Sequence, residues 1–411
     1  MKTRAEAAAL ILSLGLTGFI VMADNWVVSP ILPSIGGSIG TTPIQAAILI
    51  PAYMIPFGLL QLVYGPLADR YGKLRVLWVA MIGFTIGCGL TATGASLTGL
   101  TIYRALTGAF AAAANPVSLA LIGDTVRPED RQSAIGSFLG ISFLGQGLSM
   151  GIGGAIAYFV SWHGVFGAYA AFSVVVTAVL IVYSRNLPVS GNPHSQFVAP
   201  YRALLTNGRS LRTYLVLLAE GMLVIGSFSF LGAFLSRQFA MNNLGIGLVM
   251  TGFGIAAIVA GRQSGVVARR IGQRRTILAG LLLAALGNLL IFATGETLAV
   301  VALAIALFGG GFMLTHSTLV TLANNLAPKA RGAAMSLVAV GFMGGGGIGT
   351  AIGGRLINWT GFTDFYGVAA LLLAALAGVA FVAVSEPGPE TGSAEVHGVR
   401  ERSEKLPSKA V

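Results

Sequence analysis

Long apolar runs alternate with short polar connections over almost the whole chain. Each run is long enough to cross the ~30 Å of bilayer hydrocarbon as a helix that rises ~1.5 Å per residue. The first run is too long for a cleaved signal peptide and no small-residue cleavage site follows it, so it is interpreted as a span. The pattern predicts an all-α membrane protein with twelve transmembrane helices, at about 7–32, 43–66, 75–94, 97–122, 132–159, 163–184, 211–236, 244–267, 275–294, 297–324, 331–356 and 362–384.

The second half of the chain repeats features of the first at an offset of 200 residues. Gly65 and Gly72 recur as Gly265 and Gly272. Two six-helix bundles related by a pseudo-twofold axis along the membrane normal are therefore predicted, with a substrate site between them. The longest internal connection, 185–210, is polar and lacks apolar periodicity. The predicted organisation is a first bundle at 1–184, a cytoplasmic linker at 185–210, a second bundle at 211–384 and a disordered cytoplasmic tail at 385–411.

Composition agrees with a membrane protein, because 55% of the 411 residues are hydrophobic and 9% are charged. The net charge of +11 raises the possibility of nucleic-acid binding, but the basic residues follow the topology instead. All Lys and Arg residues except Arg104, Arg237, Arg262 and Arg355 fall on the amino terminus, the connections on the same side and the tail. The positive-inside rule then predicts that both termini are cytoplasmic. A single cysteine, Cys88, excludes an intramolecular disulfide.

A crowded, charged turn at 65–75 connects the second and third spans. Its sequence, GPLADRYGKLR, resembles the loop between spans two and three of the major facilitator superfamily, with the pattern G-x-L-A-D-R-x-G-(R/K). The resemblance covers about residues 7–384 and implies a transporter that moves a small-molecule solute by alternating access. There is no nucleotide-binding loop, G-x-S-x-G motif or metal-ligand cluster, so no enzyme, cofactor or metal is expected. An ion gradient, or the gradient of the solute itself, must then supply the energy.

The same resemblance assigns a gating charge cluster to the turn and to the end of span four. Its members here are Asp69, Arg70, Lys73 and Asp124, which would brace the outward-open state. The alternative is a solvated turn whose charges only set the topology. The second half departs from the pattern, because Arg269 and Asn324 replace the two acids.

Span five carries a glycine pattern that resembles the antiporter motif of the family, G-x-x-x-G-P-x-x-G-G. Ser149 and Met150 replace its central Gly-Pro, which weakens an inference of antiport. Small residues four positions apart also allow close helix packing, and this explains most of the pattern. The predicted packing positions are Gly145, Ser149, Gly153, Gly154, Gly345, Gly349, Gly353 and Gly354.

Ionisable residues inside the spans are few, and each is a functional hypothesis because a charge facing lipid is costly. Asp24, Glu220 and Arg104 are the proton-coupling candidates; Arg104 matches the span-four arginine that the family associates with proton coupling. For Asp24 and Arg104 the alternative is an interfacial residue near the end of a helix. Asn25, Trp26 and His316 are the substrate-cavity candidates, with a hydrogen-bonded interior histidine as the alternative for His316.

The resulting expectation is a proton-coupled exporter of small amphipathic compounds or metabolites, most similar to the bacterial twelve-span drug:proton antiporters. The expected partners are the substrate, protons and the lipid bilayer, for a monomer in the bacterial cytoplasmic (inner) membrane. Proton-coupled nutrient uptake and a non-transporting membrane sensor or scaffold are the alternatives. The sensor would leave Asp24, Arg104 and Glu220 without a role.

Overall fold

The computed structural model describes residues 4–185, 198–327 and 330–384, and every regular element in them is a helix. The first half contains α1 Arg4–Trp26, α2 Val28–Ser38, α3 Pro43–Ala46, α4 Leu49–Tyr71, α5 Lys73–Ala92, α6 Leu97–Ala111, α7 Ala114–Thr125, α8 Pro128–Phe159 and α9 Trp162–Ser184. The second half contains α10 Ala199–Thr206, α11 Gly208–Phe228, α12 Leu231–Phe239, α13 Asn243–Ile271, α14 Gln273–Thr294, α15 Leu298–Asn325, α16 Arg331–Ala339, a π-helical segment Val340–Gly344 and α17 Gly345–Ala383. The predicted tail and residues 186–197 of the predicted linker lie outside the described residues.

Eleven helical stretches among the described residues are long and apolar enough to cross a membrane. The last of them, Arg331–Ala383, has 53 residues, which at ~1.5 Å per residue is enough for two crossings. Its backbone leaves the helical conformation at Gly361, with φ 86° and ψ 173°, so the stretch divides there into two spans. The predicted twelve-helix fold is therefore confirmed.

Three spans of the first half are interrupted, each about one turn before a proline. α1 ends at Trp26, four residues before Pro30, and α3 and α6 end shortly before Pro51 and Pro116. Proline has no backbone N–H, and its ring clashes with the carbonyl four residues earlier, so a helix breaks or bends at that position. Beyond the first break, α2 packs against α12.

The repeat predicted from the sequence reappears in the backbone. Gly72 and Gly272 each lie between two consecutive spans, with φ of 95° and 88°. A side chain with a Cβ resists positive φ, so both tight turns depend on glycine. The side of the bundle that carries these turns and residue Arg4 is called the terminal face below, and the opposite side is called the far face.

The two bundles meet along several helix pairs, of which the main ones follow. α8 packs against α13, α4 packs against α17 and the π-helical segment, and α2 packs against α12 near the far face. Asn243 and Ser34 form a 2.5 Å hydrogen bond between the halves on that side. This contact surface between the halves is called the seam below. The exact boundaries of the two bundles stay a prediction.

Candidate substrate and ion-coupling site

A buried ion pair joins α1 to α6 in the first half. Arg104 donates from Nη1 to Oδ2 of Asp24 at 2.6 Å and from Nη2 to the Asp24 carbonyl at 3.1 Å. Both side chains are almost completely buried. The guanidinium also lies 4.3 Å from the centre of the Tyr53 ring, at cation–π distance. The charge of Arg104 is therefore balanced by Asp24 and by an aromatic face.

Close packing of span four on span two positions this pair. A Cβ at Gly108, one turn after Arg104, would collide with the backbone of Tyr53. The Cys88 thiol approaches the other carboxylate oxygen of Asp24 at 3.8 Å. All of these partners belong to the first half, so the Asp24 carboxylate faces the interior of the first bundle and not the seam. The sequence left the contact between Asp24 and Arg104 open, and the structure brings them together.

A second buried pair lies in the other half. His316 Nδ1 of α15 is 3.1 Å from Oε2 of Glu220 in α11, and Glu220 is fully buried. The other oxygen of Glu220 has no hydrogen-bond partner among the described residues. Glu220 lies 12 residues from the start of α11, about 18 Å along the helix, so the pair is at mid-membrane depth.

The π-helical segment forms one wall beside this pair. Its Phe342 ring centre is 4.2 Å from that of His316. A Cβ at Gly221, the residue after Glu220, would collide with the Phe342 carbonyl, so α11 and this segment are in close contact. π-helical turns are rare and are frequently found at functional sites.

An aromatic cluster crosses the seam next to the pair. The Trp26 ring, from the first half, lies 4.8 Å from Phe228, 5.9 Å from Phe253 and 6.3 Å from Phe312. Phe312 in turn stacks on Phe342 at 5.4 Å. The indole Nε1 of Trp26 is buried without a partner among the described residues. This group offers both apolar area and an unused donor.

Polar groups lie beside the cluster. Asn25 points across the seam, with Nδ2 3.7 Å from the sulfur of Met343, while its Oδ1 has no partner in the described part of the chain. Asn25 and Trp26 also line a cavity of about 10 Å³, enough for about one water. The substrate-cavity candidates Asn25, Trp26 and His316 therefore surround one region, which must open before a larger molecule can enter.

The charge cluster of the terminal face is formed. Lys73 Nζ lies 2.5 Å from Oδ2 of Asp124 and 3.5 Å from Oδ1 of Asp69. Both carboxylates are about half exposed. Arg70 forms no ion pair with the described residues and lies 5.6 Å from the Tyr71 ring centre, so the structure brings together three of the four predicted members.

The glycine motifs pack helices mostly within each half, but a Cβ at Gly154 of α8 would collide with the Asn243 carbonyl across the seam. A Cβ at Gly145 in α8 would collide with the Phe19 carbonyl of α1, and a Cβ at Gly349 in α17 would collide with the Met222 carbonyl of α11. Ser149 is buried and donates to the Gln146 carbonyl at 3.1 Å. The remaining motif positions also have close neighbours: Gly153, Gly154, Gly345, Gly353 and Gly354.

Comparisons with known proteins agree with this architecture. The family model of the Major Facilitator Superfamily matches residues 14–236 and 213–408. An uncharacterised MFS-type transporter of Bacillus subtilis, YceJ, is 27% identical over 83% of this chain and 87% of its own. The puromycin resistance protein Pur8 of Streptomyces alboniger is 32% identical over 35% of this chain and 29% of its own.

A solved structure has the same fold. It is a bacterial homolog to the human lysosomal transporter Spinster, in an inward-facing and unoccupied conformation. It superposes with a TM-score of 0.78 at 16% identity and covers 93% of this chain and 98% of that protein.

Two helical bundles that enclose buried charges and an aromatic seam define a multi-span membrane transporter. The chain belongs to the Major Facilitator Superfamily, whose members are transporters and not enzymes. They bind small-molecule substrates within the membrane, and relatives of this chain include drug-resistance proteins.

Several site residues were not identified from the sequence. The contact of Glu220 with His316 joins spans seven and ten. Residue spacing within span seven alone therefore does not reveal it. Tyr53, Phe228, Phe253 and Phe312 are aromatic residues in apolar runs, a pattern that does not separate a binding surface from ordinary core. The spacing of Phe312 and His316, one helical turn apart, indicates that their side chains share one face of span ten.

Proposed function

We propose that this protein exports small amphipathic compounds or metabolites by alternating access, in exchange for protons. The observation that carries the proposal is the buried Glu220–His316 pair at mid-membrane depth, next to the aromatic part of the seam. A carrier of this kind needs a group that takes up a proton on one side of the membrane and releases it on the other.

The chemistry of the pair supports proton exchange. Either Glu220 or His316 can carry a shared proton, because a carboxylate oxygen and a neutral imidazole nitrogen are both proton acceptors. Losing that proton would leave a carboxylate in a site with no other partner among the described residues, and burial of an unpaired charge is costly. Opening the seam to water would reduce this cost, so a conformational change would be coupled to proton release. Asp24 with Arg104 is the second candidate pair.

Efflux of amphipathic compounds is favoured by the seam and by the relatives. Trp26, Phe228, Phe253 and Phe312 offer ring faces to an apolar or aromatic solute, and Asn25 offers an amide oxygen without a partner in the described chain. Aromatic area with a few polar groups is typical of small-molecule sites. The puromycin resistance relative points in the same direction.

Transport by proteoliposomes is the test. An imposed pH gradient should drive accumulation of at least one compound from an amphipathic panel that includes puromycin. Glu220→Gln should abolish this accumulation but retain downhill exchange, because the solute site remains while the titratable carboxylate is gone. Glu129→Gln is the matched control, since it removes an exposed carboxylate on the terminal face. If Glu220→Gln and Asp24→Asn together still concentrate the solute at the wild-type level, neither acid carries the proton.

Uptake of a nutrient driven by protons is the second candidate. It is favoured by Met150, which occupies the position of the proline in the antiporter motif. Everted and right-side-out vesicles with opposite pH gradients distinguish uptake from export. Accumulation in everted vesicles with an acidic interior supports export, whereas accumulation only in right-side-out vesicles in an acidic medium supports uptake.

The proposed setting is the bacterial inner membrane, with a monomer whose terminal face is cytoplasmic. The distribution of Lys and Arg supports this orientation. Thr206 in α10 and Asn242 before α13 are exposed on opposite faces. In intact cells, a membrane-impermeant thiol reagent should label Asn242→Cys but not Thr206→Cys. The reverse pattern would overturn the orientation.

A further inference from the structure

The charge cluster of the first half has an altered counterpart in the second half. At the offset of 200 residues, Arg269 stands for Asp69, Gln273 stands for Lys73 and Asn324 stands for Asp124. The acid–base–acid set has therefore become one cation and two amides. The second half cannot form the internal ion pairs that Lys73 makes in the first.

A cavity of about 240 Å³ occupies this counterpart position. It lies between the terminal ends of α13 and α15, within about 12 Å of the ends of both helices. Its lining residues are Ser264, Gly265, Ala268, Arg269, Gln273, Ser317, Thr318 and Thr321.

The substitutions explain why the cavity exists. Ser264, Ser317 and Thr321 are the counterparts of Tyr64, Val117 and Leu121 in the first half. Each is more polar than its counterpart, and each of the two serines is also smaller. Side chains that fill space in the first half are thus replaced by hydroxyl groups around a void. A polar cavity of this size is a better site for a polar ligand than for apolar packing.

The cavity offers hydrogen-bond donors, and none of its lining residues is a carboxylate that could neutralise them. Arg269 is exposed and has no hydrogen bond or ion pair with the described residues. Gln273 Oε1 is buried without a partner there, so its amide can turn its NH₂ towards a ligand without losing a bond. The hydroxyls of Ser317 and Thr321 donate to carbonyls one turn earlier in their own helix, and these bonds can be exchanged for bonds to a ligand.

The surrounding charge favours an anion. The described acids of the second half are Glu220, which is buried at mid-depth, and Glu296 and Asp364, which lie near the far face. The neighbouring terminal end of α13 carries Arg262 and Arg270 in addition to Arg269. The second-half part of the terminal face therefore carries several cations and no described acid, which attracts anions, and a guanidinium matches the geometry of phosphate oxygens.

We propose that the cavity lined by Arg269, Gln273 and Thr321 binds a phosphate group, from a phospholipid headgroup or from free phosphate. The bound anion takes the place that Asp69 and Asp124 have beside Lys73 in the first half. The terminal face of the second half is then braced by a ligand, whereas that of the first half is braced by its own carboxylates.

Thermal unfolding of the purified full-length protein tests the site. Inorganic phosphate is compared with chloride at equal ionic strength, and nanodiscs of phosphatidylcholine alone are compared with nanodiscs that also contain phosphatidylglycerol. The wild-type protein should be stabilised by at least one of the two phosphate sources, because a ligand that binds the folded state raises its apparent stability. An effect of free phosphate identifies a soluble anion, and an effect of phosphatidylglycerol alone identifies a lipid headgroup.

Three variants assign the effect to the cavity. Arg269→Gln should weaken the apparent affinity about tenfold or more, because it removes the charge-assisted bonds. Arg270→Gln makes the same charge change next to the cavity and should keep the wild-type response. Arg269→Asp with Gln273→Lys rebuilds the Asp69–Lys73 pair and should be stable without responding to either phosphate source. An equal response of wild type and Arg269→Gln, or no response of the wild type to either source, would overturn the proposal.

Discussion

The ion pair of Asp24 and Arg104 has two possible roles, to brace the first bundle or to carry a proton, and one pair of variants separates them. Asp24→Asn removes the charge of the acid but keeps its shape, so Arg104 stays buried without a counter-ion. Asp24→Asn with Arg104→Gln removes both charges and leaves two neutral amides. Any difference between these variants reports the unpaired guanidinium.

The geometry sets the size of the effect. Two unit charges 2.6 Å apart attract each other by ~6 kcal/mol at an effective dielectric constant of ~20. Desolvation of both groups offsets much of this attraction, so the intact pair contributes little net stability. Removal of one partner costs about 3 to 5 kcal/mol, because the remaining charge is buried and unpaired. The double variant should therefore recover most of the stability that the single variant loses.

The free energy of unfolding of the purified protein tests the bracing role. Accumulation driven by a pH gradient in proteoliposomes tests the proton-carrying role. Arg127→Gln is the stability control, because its pair with Asp130 is more than half exposed and such pairs contribute little to stability. If the pair only braces the bundle, the double variant regains both stability and accumulation. If Asp24 carries the proton, the double variant regains stability but not accumulation.

Wild-type stability in Asp24→Asn would refute this reasoning. It would mean that Arg104 does not depend on the Asp24 charge, and that the Tyr53 ring and backbone carbonyl are sufficient partners. A double variant that is less stable than the single variant would refute it as well.

Three further predictions concern the terminal face and helix packing. Asp124→Asn should reduce transport, whereas expression and stability should change little because the Lys73–Asp124 pair is partly exposed. Full transport activity in this variant would show that the cluster only sets the topology. Asp69→Asn with Asp124→Asn should be less damaging than the sum of the two single changes, since both acids share Lys73. Gly145→Ala should destabilise the protein by about 1 to 3 kcal/mol through its collision with α1, whereas Gly140→Ala, which has open space, should not. Unfolding measurements on both glycine variants check this, and equal stabilities would contradict the close contact.

Much of the fold could be predicted from the sequence because its physical origin is local. Crossing a bilayer needs a run of apolar residues, so the twelve spans follow from hydrophobicity alone. The turns at Gly72 and Gly272 follow from the repeat. The breaks before Pro30 and Pro116 follow from proline chemistry, although their positions depend on the carbonyl one turn earlier and not on the proline itself.

The candidate site depended on contacts that the sequence does not encode locally. Asp24 and Arg104 are 80 positions apart, so their contact depends on how span four packs against span one. The sequence predicts that His316 faces the cavity but does not predict its carboxylate partner, because Glu220 is 96 positions away. The absence of acids at Arg269 and Asn324 was visible in the sequence, but the cavity needs the packing of α13 against α15.

The two buried pairs are not equivalent, and their chemistry ranks them. At the repeat offset, Glu220 corresponds to Ile20 and not to Asp24, and His316 corresponds to Pro116, so each half evolved its own charged site on a shared frame. Arginine keeps its charge in proteins, so only one member of the Asp24–Arg104 pair can exchange a proton. In the Glu220–His316 pair either member can hold the proton, and the histidine side chain is partly exposed at 15%. The His316 ring is therefore the more accessible member of this pair for a proton. On this argument, Glu220→Gln should impair pH-driven accumulation more than the neutral double variant of Asp24 and Arg104, and the opposite order would assign the proton to the first half.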